Sequence, residues 1–337
     1  MSFTSAAPDA LRRTDALLVR PLQEAVAALP APVEPVVAHH LGWTGADARP
    51  RGTGGKALRA TLALLSAEAA TAPVAVGIPG ALAVELVHNF SLLHDDVMDG
   101  DTERRHRPAA WTLFGEPLAL LAGNALLARA QALLVTAGPT GPTAAVLLEG
   151  AVQQLIAGQA LDLALERRHD TTVAEWAVMA DGKSAALLAA SAAIGAVLAD
   201  APVPLVGALS TYGRHLGIAY QAVDDLLGIW GTPLVTGKPV GRDLQRAKKT
   251  LPVVAALAAG GPLADRLRAL LIEADRDGSD VAEMVELIEA NGGRRASEEE
   301  AARRIDGALA ALDGGSVPPA VAAELSALAL FVTARDR

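Results

Sequence analysis

The sequence contains no cysteine, which removes disulfides and thiolate metal sites from consideration. Aromatic residues make up only 3% of it, too few for the core of a β-rich protein. Positive charge is not in excess. The 29 Lys and Arg face 38 Asp and Glu, a net charge of −9, so no general nucleic-acid surface is expected and nucleic acid is not a partner. Long unbroken apolar runs are also missing. Ala130 to Leu148 carries no charge but is interrupted by Gly138, Pro139, Gly141 and Pro142. Ser184 to Ala199 is alanine-rich, too short to span a bilayer and soon followed by Pro202 and Pro204, so it reads as a buried helix. Met1 to Asp15 is polar, carries Arg12 and Arg13, and lacks the apolar centre of a signal peptide. The expectation is a cytoplasmic protein without stable membrane insertion.

Lysine is scarce too. Only Lys56, Lys183, Lys238, Lys248 and Lys249 occur, and the remaining basic residues are arginine. Where arginine replaces lysine so widely, the lysines that stay are candidates for positions needing a compact, flexible charge. Chance is the plainer explanation.

Helical periodicity dominates and strand-like alternation is nearly absent. Helices are predicted over about 8–29, 34–42, 56–71, 78–98, 117–136, 141–167, 173–199, 204–229, 243–258, 263–274, 279–291, 297–312 and 318–334. Gly/Pro-rich breaks separate them, notably Pro73 to Pro79, Pro233 to Pro239 and Gly260 to Pro262. Gly278 to Ala296 is more charged and reads as a solvated surface hairpin. The pattern favours an all-α fold, one large helical bundle forming a single domain over 1–337.

The strongest local signal is Val84 to Arg105, VELVHNFSLLHDDVMDGDTERR. Leu86, Phe90, Leu93 and Val97 form an apolar stripe. His88, Asp95 and Asp99 project on another face, and Asp95 and Asp99, four apart, stack at the helix end. Adjacent carboxylates repel unless a cation lies between them, and acids at a helix C-terminus also oppose the macrodipole. Hard divalent cations take such oxygen ligands when a phosphate supplies the rest. Arg104 and Arg105 follow, suited to bidentate contact with diphosphate oxygens. The bland alternative is an acidic, solvated helix end.

The second signal is Tyr220 to Pro252, YQAVDDLLGIWGTPLVTGKPVGRDLQRAKKTLP. Gly217, Gln221, Asp224 and Gly228 share one helix face, and a Gly/Pro-rich loop then leads to Lys238, Asp243, Lys248 and Lys249. These are parts for closing over an anion, or equally a helix, a loop and solvated charges. None of the Gly-Lys pairs is a P-loop, because Pro50, Ala177 or Thr232 stands where its first glycine is required.

Together the segments resemble the trans-isoprenyl diphosphate synthases, the farnesyl and geranylgeranyl diphosphate synthase family, over about residues 50–255. GGKALR resembles that family's GGKxxRP element and implies that Lys56 and Arg59 bind isopentenyl diphosphate, with Ala60 in place of the usual proline. His88 resembles the histidine that joins them. Asp95, Asp96 and Asp99 resemble the first aspartate-rich motif. Arg104 resembles the allylic-diphosphate arginine and Arg105 the isopentenyl-diphosphate arginine; His106 replaces the glycine often found next. Gln159, with Asp162, resembles the GQxxD element, and Lys183 with Ser184 the KT element. Gln221, Asp224 and Asp225 resemble FQxxDD, followed by Lys238 and Lys248 as diphosphate lysines. One departure stands out: the second motif usually ends in aspartate where this chain has Gly228.

The resemblance implies an isoprenoid-synthase bundle with a central apolar cavity, about three Mg²⁺ ions held by Asp95, Asp96, Asp99, Asp224 and Asp225, and a homodimer. It implies condensation of isopentenyl diphosphate with dimethylallyl, geranyl or farnesyl diphosphate. Asp95, Asp99, Asp224, Lys183 and Lys238 would then carry the catalytic charge. Ser91 lies one turn below Asp95 and Phe90 beside it. An aromatic five residues before the first aspartate goes with C20 products in that family, so geranylgeranyl diphosphate is expected first and farnesyl diphosphate second. Phe90 is also readable as an ordinary core residue. A class I terpene cyclase and a catalytically weak partner or scaffold subunit of the same fold remain the alternatives.

Overall fold

In the computed structural model the described residues are 8–44, 57–231, 241–272 and 278–333. They are almost entirely helical. In chain order the helices are α1 Asp9–Ala27, α2 Glu34–Leu41, α3 Leu58–Ala69, α4 Val74–Met98, α5 Ala110–Phe114, α6 Glu116–Val135, α7 Gly141–Glu166, α8 Val173–Ala180, α9 Ala186–Leu198 and α10 Val203–Trp230. They continue with α11 Arg242–Gln245, α12 Leu251–Ala258, α13 Gly261–Ile272, α14 Gly278–Ala290, α15 Gly293–Leu312 and α16 Pro319–Thr333. The only strands among the described residues are β1 Glu103–Arg104 and β2 Arg107–Pro108, a minimal antiparallel pair. The all-α expectation holds.

The helices group into two compact units that share the chain discontinuously. The first comprises Met1–Val152, Leu187–Gly213 and Leu312–Leu328; the second comprises Gln153–Ala186, Arg214–Ala311 and Ala329–Arg337. Each has an apolar interior built on small residues.

In the first unit α4 is the central element. Its stripe of Leu86, Phe90 and Leu93 is buried. The sequence predicts its start at 78, yet the helix begins at Val74 and carries Pro79 within it. Close packing offsets the hydrogen bond that Pro79 cannot donate. A Cβ on Gly77 would lie 3.0 Å from the Ala67 Cβ, and one on Gly80 would lie 2.9 Å from Ile194. Tyr212 is wholly buried, and its hydroxyl donates to the Leu325 carbonyl at 2.7 Å, tying α10 to α16.

In the second unit Trp176, Met179, Ile218, Val223, Leu251 and Val254 share one core cluster. The helix predicted over 173–199 is not uniform. Asp181–Ala185 is a π-helical turn between α8 and α9. The helix predicted over 243–258 is broken as well: α11 ends at Gln245, Ala247 takes a left-handed φ of 53°, and α12 starts afresh at Leu251 with Pro252 in its first turn. Gly278 to Ala296 is more than a solvated hairpin, since Met284 and Ile288 of α14 are fully buried in a second core cluster.

Four helical stretches are long and apolar enough to cross a membrane by length and composition: Val74–Met98, Glu116–Val135, Gly141–Glu166 and Val173–Leu198. The uncharged runs of the sequence predicted none. The helices outrun those runs because a stretch with one or two charges still qualifies. The first and last are 67% buried inside the protein itself.

Candidate active site

The first unit brings together Arg59, His88, Asp95, Asp96, Asp99, Arg104 and Arg105. The C-terminal end of α4 carries the acids. Asp99 is its cap residue, and its backbone N–H donates to the Asp95 carbonyl at 2.8 Å. Asp96 points elsewhere: it is 1% exposed and paired with Arg104, whose Nε donates to Oδ1 at 2.8 Å and whose Nη2 binds the same oxygen. Burial raises the Asp96 carboxyl above the usual aspartate range, against the pull of Arg104. Its second oxygen, Oδ2, is buried without a hydrogen-bond partner.

The β1–β2 hairpin aims the two arginines. Arg104 pairs with Arg107 across it, and the two residues between, Arg105 and His106, have φ of 54° and 60°. That is the positive-φ pair of a type I′ turn, built without glycine. Arg107 ties the hairpin to α2. Its Nη1 and Nη2 donate to the His39 and His40 carbonyls at 2.6 and 3.0 Å, at the negative end of α2. Gly42 provides the room: its φ is 82°, and a Cβ there would sit 2.9 Å from that guanidinium.

Arg105 is thereby turned inward, and its Nη1 is buried with no hydrogen-bond partner. Burial, then the neighbouring Arg104, lowers its pKa. Two histidines, His40 buried and His88 part-buried, lie in this cationic surround and are kept neutral. Burial, with Arg59 and Arg105, holds His88 well below the ordinary imidazole value. Burial, with Arg105 and Arg104, holds His40 down at about 3. His40 Nε2 and Asn89 Oδ1 are also buried, and the Asn89 amide lies beside the His40 ring. The unpartnered Arg105 Nη1, with the Arg59 and Arg104 guanidiniums acting on the same His88, suits an anion with several oxygens.

Phe90 turns toward α6. Its ring meets that of His94 edge-on, centroids 4.8 Å apart, and His94 Nε2 lies 3.0 Å from the Leu120 carbonyl oxygen. Gly123 makes this possible, since a Cβ there would fall 2.4 Å from the imidazole. Ser91, one turn before Asp95, is part-buried and donates its hydroxyl to the His88 carbonyl at 2.8 Å.

The second unit pairs Asp162 with Lys183 and links Ser184 through Gln221 to Asp225; it also carries Gln159, Asp224 and Lys248. The π-turn presents Lys183 and Ser184, and glycines on both flanking helices permit it. A Cβ on Gly158 of α7 would meet the Lys183 nitrogen at 2.2 Å; one on Gly217 of α10 would meet the Ala185 Cα at 2.4 Å. Lys183 Nζ then donates to Asp162 Oδ2 at 2.6 Å, and Ser184 Oγ donates to Gln221 Oε1. Gln159 is buried, its Nε2 without a partner.

Asp225 is committed to the protein. It accepts from Trp176 Nε1, the Leu251 backbone N–H and Gln221 Nε2, each at 2.8 Å. Burial pushes its carboxyl up to about 7 despite those donors. Asp224, by contrast, is exposed on the helix. The Gly228 position one turn later is occupied from elsewhere, because a Cβ there would lie 2.1 Å from an Asp243 carboxylate oxygen. Lys248 Nζ lies 3.9 Å from Glu166 Oε1. Lys56 and Lys238 lie outside the described residues.

Among the described residues no three acidic or histidine side chains converge on a metal-sized space. The paired carboxylates of Asp95 and Asp99, at the negative end of a helix, still suit a hard cation whose remaining ligands come from a bound phosphate. Sequence reasoning missed Glu85, Asn89 and His40. They are polar residues on apolar helices, and their one signal is that buried polar groups need partners.

A polyprenyl synthetase family model matches residues 50–288. The chain is 47% identical over 312 residues to a (2E,6E)-farnesyl diphosphate synthase of Mycobacterium tuberculosis, covering 90% of this chain and 86% of the relative. The structure is similar to a crystal structure of a polyprenyl synthetase from Streptomyces coelicolor, with TM-score 0.90, 45% identity and coverage of 96% and 98% of the two chains. It is also similar to geranylgeranyl pyrophosphate synthase from Corynebacterium glutamicum complexed with isoprenyl diphosphate and magnesium, with TM-score 0.81, 28% identity and coverage of 97% and 98%. The chain therefore belongs to the polyprenyl synthetase family, and it is a trans-prenyltransferase of the kind that makes C15 and C20 prenyl diphosphates.

Proposed function

We propose that the protein is a Mg²⁺-dependent geranylgeranyl diphosphate synthase, extending an allylic diphosphate with isopentenyl diphosphate to C20. The observation that carries this reading is the orientation of Phe90 and Ser91. Phe90 packs edge-on against His94 on the α6 side, which leaves the small Ser91 one turn beneath Asp95. A prenyl chain growing down α4 from Asp95 meets a serine rather than an aromatic wall.

Mg²⁺, when bound, neutralises the diphosphate and makes it a better leaving group. Asp95, Asp99 and Asp224 are the residues that would hold it. Asp96 and Asp225, first grouped with them, serve better as positioning groups, since one grips Arg104 and the other accepts three donors. Arg104, Lys183 and Lys238 stabilise negative charge as the allylic C–O bond breaks. Lys56, Arg59, His88, Arg105 and Lys248 orient the diphosphates, aided by Gln159, Ser184 and Gln221. The isopentenyl double bond attacks the allylic carbon, and the released diphosphate accepts the proton lost in elimination.

A homodimer is supported by α6, whose apolar stretch is only 33% buried and leaves Leu120, Leu121 and Val135 exposed for a second copy. For location the proposal is the cytoplasm, without stable insertion; the burial of two of the four apolar stretches, Val74–Met98 and Val173–Leu198, within the fold supports it. The test is Ser91→Phe, which should stop synthesis at C15. A Ser91→Phe enzyme that still makes C20 overturns the assignment.

A further inference from the structure

We infer that Glu85 is a positioning residue for isopentenyl diphosphate, holding Arg59 and Arg105 in register from beneath. The inference rests on the proposed role of those two arginines. α3 begins without a side-chain cap: its N-cap residue, Ala57, has a left-handed φ of 50° and offers no acceptor. The missing acceptor comes from α4. Glu85, 4% exposed, accepts the Ala60 backbone N–H at 3.2 Å, the third N–H of α3. A carboxylate at this place also complements the positive end of the helix dipole. Arg59 occupies the second position of the same first turn, so fixing that turn fixes the base of the Arg59 side chain.

Glu85 also lies in the field of two guanidiniums. Burial raises its pKa, while Arg59, the Ala60 N–H and Arg105 act in the opposite direction. His88 stands three residues further along α4, and Asn89 Nδ2 donates back to the Glu85 carbonyl at 2.8 Å. One buried carboxylate thus holds the first turn of α3, and its charge acts on two arginines of separate elements, α3 and the β1–β2 hairpin. Without it, two part-buried guanidiniums would lose the negative charge that offsets their repulsion. Glu85 is not placed to touch substrate. It acts through the arginines.

The test compares wild type, Glu85→Gln and Glu85→Asp in steady-state elongation, with calorimetric titration of inorganic diphosphate into each protein without metal. Glu85→Gln should raise KM for isopentenyl diphosphate about 10-fold or more, leave KM for the allylic primer within about 2-fold, and weaken diphosphate binding. Glu85→Asp should fall between. In an Arg59→Met background, Glu85→Gln should add little further loss. If Glu85→Gln does not fold, Glu85→Asp carries the same comparison. An unchanged KM for isopentenyl diphosphate, equal rises for both substrates, or a lowered Tm with unaltered kinetics and diphosphate affinity would each overturn the inference. A wild type that elongates nothing would sink the reading of the site instead, and the diphosphate titration would still decide the role of Glu85.

Discussion

Lys183 Nζ and Asp162 Oδ2 meet at 2.6 Å because the chain makes a π-turn at Lys183 and α7 has a glycine, Gly158, where the turn comes closest. Both side chains are largely buried, so the pair is geometrically restrained and worth more than an exposed one. Asp162→Asn keeps the lysine and removes its anchor. It should lower kcat/KM about 10–100-fold, the usual scale for a residue that orients a ligand group. Lys183→Gln combined with Asp162→Asn should be no worse than Lys183→Gln alone, as steady-state kinetics of the three variants will show.

Aspartate at position 228 should harm this enzyme, although the motif it resembles usually ends in aspartate. The space above Gly228 already holds the Asp243 carboxylate. Gly228→Asp forces a clash and sets two like charges together, costing about 1–3 kcal/mol. Thermal unfolding should show a lower Tm, and activity should fall. Adding Asp243→Ser should recover much of both.

The hairpin turn stores strain in Arg105 and His106, two non-glycine residues at positive φ. His106→Gly should raise stability by about 1 kcal/mol and leave elongation rates unchanged. Denaturant unfolding with an unchanged m-value will measure it.

Buried neutral His40 makes the fold acid-sensitive. Its pKa is held near 3 in the native protein against 6.5 ordinarily. Between those values the unfolded chain binds a proton that the native state refuses, so stability is full above pH 6.5 and is lost as pH falls. At pH 5 the loss from this one group is about 2 kcal/mol. His88, shifted the same way, adds to it. His40→Gln should flatten the pH dependence of unfolding between pH 6.5 and 5, whatever it does to absolute stability.

The end of α4 was legible in the sequence because two periodicities coincide there, a buried stripe at Leu86, Phe90 and Leu93 and carboxylates spaced by one turn. The π-turn was not. Its residues read as ordinary helix, and its cause lies in Gly158 and Gly217, far away along the chain. The break at Ala247 was hidden likewise, since alanine seldom signals positive φ. Glu85 and His40 escaped notice because a lone polar residue on an apolar helix says nothing of the arginines it will meet. The roles of Asp96 and Asp225 divided from those of their neighbours only when Arg104 and Trp176 were located.

Mass spectrometry of the products formed by the wild-type protein from Mg²⁺, labelled isopentenyl diphosphate and each allylic primer is the most direct test. The expected product is a C20 diphosphate carrying label from every unit added. A hydrocarbon made from a single diphosphate would identify a cyclase, and absence of turnover a scaffold; either result contradicts the account.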